Sequence, residues 1–336
     1  MNTRTLVTAL AGLSLIAAAC GSDSDSDESS STDSTTTEAL SNESVDTKSA
    51  VTEPEAPESA VTEPVTTDGA GVTPERVVSL SPTHTEIMFA IGAGDLLVAV
   101  DDFSDYPAEA LELPNELSGF EPNVEAIASY EPDLVLIGGD FTGLGDQLAE
   151  LDIESWDGPA ASTISDTYTQ IEQLGAATGN VAEAAELVSS MQTRIDEIVA
   201  ESGDSGAGLS FYHELDPTYF SADSSTFIGE VYGALGLENI ADGDETESFG
   251  FPQLNAEFIV AANPDLVFLA DTKCCAETAL TVAARPGWNA IAAVQNSSVI
   301  EMDDDVASRW GPRIVDYLED VAAAVANVEA GVAAES

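Results

Sequence analysis

Short apolar runs alternate with stretches of helical periodicity along most of this 336-residue chain. Three early runs have the length and composition of buried strands: RVVSL, LLVAV and DLVLIG. Between them, TEIMFAIGAG and VEAIASY carry apolar residues at helical spacing, and Gly92 and Gly94 end the first of these helices. The resulting β-α-β-α-β order predicts a parallel sheet with helices on both faces.

A different pattern follows, in which residues 165–201 are nearly all helix formers, with one break at Gly179-Asn180. We expect Asn180 to cap the second piece, which runs from Val181 to Ala200 with apolar residues on one side. About 20 residues at 1.5 Å each give a rod of roughly 30 Å, the diameter of a small lobe.

The first pattern then returns. The phrase NAEFIVAANPDLVFLADT (255–272) repeats NVEAIASYEPDLVLIGGD (123–140), with Asn, Glu, Ile and Pro-Asp-Leu-Val at matching places. A weaker echo pairs Thr85-x-Ile87 with Thr226-x-Ile228. This self-similarity predicts an α/β fold of two similar Rossmann-like lobes, joined by one long rigid helix. We place the N-terminal lobe at 73–163, the interlobe helix region at 164–202 and the C-terminal lobe at 203–330.

The first residues indicate export. Arg4 precedes an apolar run, 6–19, that suits a signal peptide and is short for a membrane span. Small residues end the run directly before Cys20, an arrangement that resembles the lipobox of bacterial lipoproteins. We expect residues 1–20 to be a lipoprotein signal with Cys20 lipidated; the alternative is a signal that is cleaved without lipidation. Residues 21–72, acidic and rich in Ser, Thr and Pro, predict a disordered tether.

Charge narrows the range of partners. The chain carries 62 acidic and 8 basic residues, a formal net charge of −54. Binding of nucleic acid, or of an anionic membrane through a basic patch, is therefore excluded, which leaves a lipid anchor as the expected membrane contact. We interpret the acidity as surface solvation, of the kind that suits a saline habitat.

The remaining cysteines, Cys274 and Cys275, are adjacent. In an exported protein they could form a vicinal disulfide through a strained ring, or stay reduced. A zinc site would need about four ligands, and none stands nearby in sequence.

The body from about Thr73 to Ala330 resembles a substrate-binding protein of an ABC importer. It is similar to the family whose lobes are joined by one helix and which carries cobalamin, ferric siderophores or haem. The resemblance rests on RVVSLSPTHTEIMFAIGAGDLLVAV, SDYP, NVEAIASYEPDLVLI, STFIGEVYGALGLENIA, FPQLNAEFIVAANPDLVFL, GWNAIAAVQNSSVIEMD and RWGPRI. It implies a ligand cleft between the lobes, no enzymatic activity, no catalytic residues and no resident metal or cofactor.

Within the family, the cobalamin-binding members are the most similar. This resemblance implies ligand contacts by six residues, namely Phe103, Phe120, Tyr212, Phe251, Asp305 and Arg309. Aromatic faces suit a large, flat ligand, and the fork of Arg309 suits an amide or carboxylate oxygen. The chain departs from the pattern where Phe120 and Phe251 stand in place of tryptophans and Gly138 in place of an aromatic residue.

Glu125 and Glu257 stand at the same place in the two copies of the repeated phrase. The helix dipole favours a carboxylate in a first turn, and that account needs no partner. The resemblance implies a sharper role, in which the two glutamates dock onto the two subunits of an ABC permease dimer that works with its ATPase. We expect the binding protein itself to be a monomer.

The predicted function is capture of cobalamin or a related corrinoid by a lipid-anchored protein outside the cytoplasm. The bound ligand would be a cobalt corrinoid or an iron chelate, with a ferric siderophore or haem as the alternative. An enzyme or metallocluster scaffold would need clustered Cys, His or carboxylates, for which Cys274-Cys275 is the only candidate in the sequence. A surface adhesion or sensory lipoprotein with this fold is a third possibility.

Overall fold

The computed structural model describes residues 73–243 and 248–335. The predicted signal peptide, Cys20 and the tether lie outside the described residues. Within the described part, no helix is long and apolar enough to cross a bilayer.

The described residues form two sheets of four strands each, and every ladder between strands is parallel. The first sheet has the order β2-β1-β3-β4 and the second has β6-β5-β7-β8, so the two orders are the same. The strands are β1 Val77–Ser79, β2 Leu97–Val100, β3 Leu134–Ile137, β4 Glu154–Asp157, β5 Ser210–Glu214, β6 Glu238–Asn239, β7 Leu266–Leu269 and β8 Val299–Glu301. We call the two halves the N lobe and the C lobe.

Helices surround both sheets. In chain order they are α1 Pro82–Ala90, α2 Val124–Ala128, α3 Leu144–Ala149, α4 Ile164–Thr178, α5 Val181–Ser202, α6 Phe227–Gly233, α7 Ala256–Ala262, α8 Thr272–Cys275, α9 Ala279–Ala283, α10 Ala292–Gln295, α11 Asp304–Ser308 and α12 Ile314–Glu335. Short 3-10 turns at Gly94–Leu96, Ala108–Glu112, Ile240–Gly243 and Trp288–Ala290 complete the described elements. The predicted α/β fold of two similar lobes is confirmed.

The central strands of each sheet are buried on both faces, as near-continuous apolar strands require. In β3 and β7 all four residues are buried, and alternate residues enter different apolar clusters on the two faces. Helices α4 and α5 bury residues in the cores of both lobes: Ile171 and Met191 pack in the N lobe, and Ile164 and Ile198 in the C lobe. The connection between the lobes is therefore part of both cores.

The connection consists of two helices rather than one rod. A reciprocal capping box between Thr163 and Asp166 starts α4, and Gly179 ends it in the left-handed conformation, with φ of 81°. Asn180 precedes α5, but its side chain does not cap that helix, contrary to our expectation. Its amide Nδ2 donates instead to the carbonyl oxygen of Ile91 at 3.0 Å, which ties the break to the end of α1.

The repeated phrase folds in the same way in both lobes. The Oδ1 atom of Asn123 accepts from the backbone N–H of Ala126 at 2.9 Å, and Asn255 accepts from Phe258 at 2.9 Å. The weaker sequence match, between Thr85 and Thr226, does not correspond to equivalent helical positions. Thr85 lies inside α1, whereas Thr226 is the N-cap of α6 and accepts from the N–H of Gly229.

Candidate functional site

The carboxyl ends of parallel strands share one edge of a sheet, and in open α/β folds ligands bind there. Strand β2 leads into the loop of Phe103 and Asp105, and β8 leads through α11 to Arg309. Arg309 Nη2 donates to the carbonyl oxygen of Phe103 at 3.0 Å, and Nη1 donates to Asp105 Oδ1 at 2.9 Å. These contacts place the carboxyl edges of the two sheets opposite each other, and we call the region between them the cleft.

Exposed aromatic side chains follow the strands of the N lobe at this edge. Phe120 is 79% exposed, and its ring meets that of Phe103 edge-on at 5.7 Å between centroids. Phe141, which comes after β3, is also almost fully exposed. Gly119 explains how Phe120 reaches the edge: a Cβ there would lie 2.4 Å from the carbonyl oxygen of Leu80, so only glycine lets the chain pass the end of β1.

A buried polar network supports the loop that carries Phe103. Ser104 donates to Asp101 at the end of β2 and bonds the hydroxyl of Thr85, which donates to Ser79 at 2.9 Å. Burial raises the pKa of Asp101 to about 6, while the hydrogen bond from Ser104 lowers it. The network fixes the loop on the sheet and leaves the Phe103 ring exposed.

The C lobe presents a second group of exposed aromatic side chains after β5 and β6. Phe220 and Phe251 are partly exposed, and Phe249 is 98% exposed. Phe249 also has a φ of 51°, which is costly for a non-glycine residue and marks a constrained turn. The backbone N–H of Asp223 anchors that turn by donating to the carbonyl oxygen of Gly250 at 2.8 Å.

Arg309 lies at the centre of an ionic cluster between the lobes and is only 6% exposed. Its Nη1 donates to Glu86 Oε1 at 2.9 Å as well as to Asp105, and its Nη2 donates to Asp305 Oδ1 at 2.7 Å. Glu86, on α1, also accepts two bonds from Arg313, at 2.8 and 2.6 Å. The predicted pair of Asp305 and Arg309 is thus brought together at the cleft, but the Arg309 guanidinium is already occupied by protein acceptors.

The ionic cluster continues to the adjacent cysteines. Lys273 Nζ bridges Asp303 at 2.5 Å and Asp305 at 2.6 Å. The carboxylate of Asp304 accepts from three backbone N–H groups at the start of α8, including that of Cys274. Cys274 and Cys275 are joined by a disulfide and are both exposed, at the carboxyl end of the central strand β7.

The C lobe also buries an acidic pair at its carboxyl edge. Glu214, at the end of β5, accepts one hydrogen bond from each Nη group of Arg285, both at 2.6 Å. Asp271, after β7, lies beside Glu214. Burial, followed by the charge of Glu214, raises the pKa of Asp271 to about 8. The raised pKa favours the protonated form of Asp271 at neutral pH, beside the Glu214 carboxylate.

The prediction that Tyr212 contacts ligand is corrected. Its side chain is fully buried in β5 and packs edge-on against Trp288 at 6.1 Å, among the apolar residues behind the sheet. The β5 residues alternate between the two faces of a sheet that is covered on both, so Tyr212 does not reach the carboxyl edge.

Both histidines of the chain are fully buried. Burial lowers the pKa of His84 to about 4 and that of His213 to about 3, so both are neutral. His84 bonds Gln170 and His213 bonds Tyr232, which leaves neither imidazole at the cleft surface. Among the described residues, no group of three or more His, Cys, Asp or Glu side chains is arranged to hold a metal ion.

Glu125 and Glu257 occupy the second position of α2 and α7, and both are exposed. The two helices begin four and five residues after Phe120 and Phe251, respectively. The glutamates therefore lie near the carboxyl edges that bound the cleft, one on each lobe.

Sequence reasoning missed several residues of the site: Glu86, Asp105, Phe141, Phe220, Phe249, Glu214, Asp271 and Arg285. Glu86 lies in the helical segment TEIMFAIGAG without a local signal of its role, because its arginine partners are more than 220 positions away. The pair of glycines before Phe141 was a usable signal, because it follows a strand and precedes an isolated aromatic residue. Grooves of about 610 and 500 Å³ lie along α5 with α12 and beside α4 with α6, away from the aromatic residues at the carboxyl edges.

Comparison with known proteins agrees with this architecture. The family model described as "Periplasmic binding protein" matches residues 77–306. An ABC transporter substrate-binding lipoprotein, YvrC of Bacillus subtilis, is 31% identical over 260 residues, which is 75% of this chain and 80% of that protein. A cobalamin-binding protein of Halobacterium salinarum is 31% identical over 263 residues, 76% of this chain and 70% of that protein.

Among solved structures, the periplasmic vitamin B12-binding protein BtuF of Vibrio cholerae superposes with a TM-score of 0.65 at 26% identity. The match covers 76% of this chain and 98% of that one. The resemblance inferred from the sequence is confirmed. The chain belongs to the periplasmic binding protein family, whose members are non-enzymatic transport components, and it is a substrate-binding protein of the ABC importer type.

Proposed function

We propose that this chain captures cobalamin or a related corrinoid between its lobes and delivers it to the permease of an ABC importer. One observation carries the proposal: exposed aromatic side chains stand at the facing carboxyl edges of both sheets. Solvent-exposed phenylalanines on supported loops cost stability in the free protein, and a flat ligand that covered them would recover that cost.

The choice of corrinoid rests on the aromatic residues and on relatives named for cobalamin and vitamin B12. A ferric siderophore or haem is the second candidate. Haem would find no exposed imidazole to bind its iron, because both histidines are buried and neutral. Tyr106, which is half-exposed beside the ionic cluster, would be the available oxygen ligand.

The anchor and the docking mode are part of the proposal. Cys20 would carry the lipid and hold the protein outside the cytoplasm at the cell membrane, with residues 21–72 as a tether. Glu125 and Glu257 would contact the two subunits of a permease dimer that works with its ATPase. Their equivalent positions near the rim of the cleft support this role, since a partner bound to both would face the ligand.

The ligand is tested by titrating the purified mature protein with cobalamin, ferric siderophores and haem. We expect cobalamin to bind with a Kd below about 10 μM. If no compound of the panel binds at that level, the transport proposal fails. Tight binding of a ferric chelate without cobalamin would establish the second candidate.

Docking is tested by reversing both charges, Glu125→Arg with Glu257→Arg. Ligand affinity should stay unchanged while uptake by cells is abolished, because only the permease contact is lost. Glu183→Arg is the matched control, since Glu183 also lies exposed in the first turn of a helix but belongs to α5. Normal uptake by the double variant would leave the helix dipole as the whole explanation of the two glutamates.

A further inference from the structure

We propose that the cleft selects an electrically neutral or cationic ligand that carries N–H donors, and rejects carboxylate-bearing ligands, with Asp105 as the specificity-determining residue. This inference rests on the proposed function, because it concerns the ligand of the same cleft. It follows from which charges at the carboxyl edges are occupied by the protein and which face solvent.

Arg309 is the cation that an anionic ligand would be expected to use. Its guanidinium already donates four hydrogen bonds, to Glu86, Asp105, Asp305 and the carbonyl oxygen of Phe103. With the side chain 7% exposed, its carboxylate partners hold it as an internal ion, and a ligand carboxylate would have to displace one of them. Arg309 is thus a structural cation rather than a free anion receptor.

The other cations offer no replacement. In the part of the chain that the structure describes, each remaining lysine or arginine side chain also bonds an acceptor of the protein. These are Arg76 with the carbonyl oxygens of Tyr130 and Glu131, Arg194 with Glu197 and Glu319, Lys273 with Asp303 and Asp305, Arg285 with Glu214 and Glu277, and Arg313 with Glu86. The buried, neutral histidines add no positive charge.

The charge balance of the cluster at the cleft is negative. Three cations, Arg309, Arg313 and Lys273, pair with four carboxylates, which are Glu86, Asp105, Asp303 and Asp305. The excess charge lies on the solvent side, because Glu86 is buried whereas the side chain of Asp105 is 49% exposed. A ligand carboxylate in the cleft would therefore meet a like charge.

Asp105 has the chemistry to recognise the opposite kind of ligand. Its Oδ1 accepts from Arg309, which fixes the position of a carboxylate beside the exposed Phe103 ring. A carboxylate accepts hydrogen bonds from primary amides, hydroxyls or ammonium groups, and it repels another carboxylate. A flat chelate with an apolar face and an amide-bearing or cationic rim fits both the phenylalanines and Asp105.

The test uses two pairs of ligands whose members differ in charge, and the members of the first pair share one scaffold. Cobalamin is compared with its derivative in which propionamide side chains are hydrolysed to carboxylates, by titration of the mature protein at low salt. A cationic ferric hydroxamate chelate and an anionic ferric tris-catecholate chelate form the second pair. We expect the neutral or cationic member to bind at least about tenfold more tightly, and the ratio to shrink in 1 M NaCl, where exposed charges are screened.

Two variants test whether Asp105 is responsible for the charge selectivity. Asp105→Asn should raise the affinity for the carboxylate derivative at least about tenfold, without improving binding of cobalamin. Asp95→Asn is the matched control: it removes one exposed charge before the amino end of β2, at the opposite edge of the sheet, and should leave the ratio unchanged.

The outcomes separate the two proposals. Equal binding within each pair, or tighter binding of the carboxylate or catecholate member, overturns the charge selection and leaves the transport function intact. A ratio that Asp95→Asn changes as much as Asp105→Asn assigns selection to the net charge of the protein and overturns the role of Asp105. If neither pair binds, both proposals fall.

Discussion

The two lobes share one strand order and one repeated helix-strand phrase, yet their carboxyl edges are built from different chemistry. In the N lobe, Phe103 and Phe120 stand over a buried network of hydroxyls with the single carboxyl group of Asp101. In the C lobe, the corresponding edge holds the buried acid pair of Asp271 and Glu214, together with the adjacent cysteines. The comparison shows that the repeat preserves the residues that build the sheet, whereas the loops at its edge have diverged in chemistry.

The largest expected effect comes from the contact that joins the two lobes. Glu86→Gln removes the buried anion that pairs with Arg309 and Arg313, and leaves two largely buried cations short of a partner. We expect a loss of about 3 kcal/mol in the free energy of unfolding, measured by urea denaturation. The exposed control Glu125→Gln should change it by less than about 0.5 kcal/mol. A loss below about 1 kcal/mol for Glu86→Gln would mean that the lobes are held by their shared helices alone.

The second effect is specific to the C lobe and depends on pH. Because the pKa of Asp271 is raised to about 8 in the folded protein, the folded state keeps a proton that the unfolded state releases above its ordinary value near 3.8. The contribution of Asp271 to stability is therefore greatest below about pH 4 and declines as pH rises to about 8. Asp271→Asn replaces the carboxyl group with a neutral amide of similar shape and removes this dependence. The variant should gain at least about 2 kcal/mol of stability over the parent between pH 4 and pH 8.

Urea titrations at several pH values measure this difference, with Asp95→Asn as the exposed control. A constant offset between parent and variant across pH 4 to 8 would contradict the protonated state of Asp271. The histidines act in the opposite direction, because their lowered pKa values, about 4 for His84 and about 3 for His213, destabilise the fold below pH 6.5.

The third effect compares the aromatic residues of the two edges as ligand contacts. Phe120→Ala and Phe251→Ala should each weaken cobalamin binding about tenfold, and each should alter stability by less than about 0.5 kcal/mol, because both rings are exposed. Leu151→Ala, an exposed apolar residue between α3 and β4 near the amino edge, is the matched control. If only one phenylalanine matters, the ligand contacts one lobe rather than both.

The smallest effect tests the equivalence of the repeated phrase. Asn123→Ala and Asn255→Ala each remove one N-cap with the same 2.9 Å bond. Each should cost about 1 kcal/mol in the free energy of unfolding, as N-cap substitutions do. Unequal costs would show that the two copies are equivalent in geometry but not in their contribution to stability.

Much of the fold was predictable from local patterns. Apolar runs such as 133–138 had to be buried strands, and the repeated Asn-x-Glu phrase gave two capped helices at matching places. The sequence match between Thr85 and Thr226 does not correspond to a structural match, because α1 begins three residues before Thr85. The two threonines therefore occupy different helical positions. The prediction that Tyr212 contacts the ligand was wrong, because a strand side chain in a sheet covered on both faces points into a core rather than toward the edge.

By itself, the sequence determined the fold class and the repeat of the lobes, because strand periodicity and helix capping act over a few residues. The family followed from the resemblance of its motifs. Only the tertiary structure decided the electrostatics of the cleft. Whether Arg309 is free for a ligand depends on Glu86 and Asp105, each more than 200 positions away along the chain. Whether Asp271 keeps its proton depends on Glu214, in the neighbouring strand of the same sheet. Charge and burial act through space, so they appear only once the chain has brought those groups together.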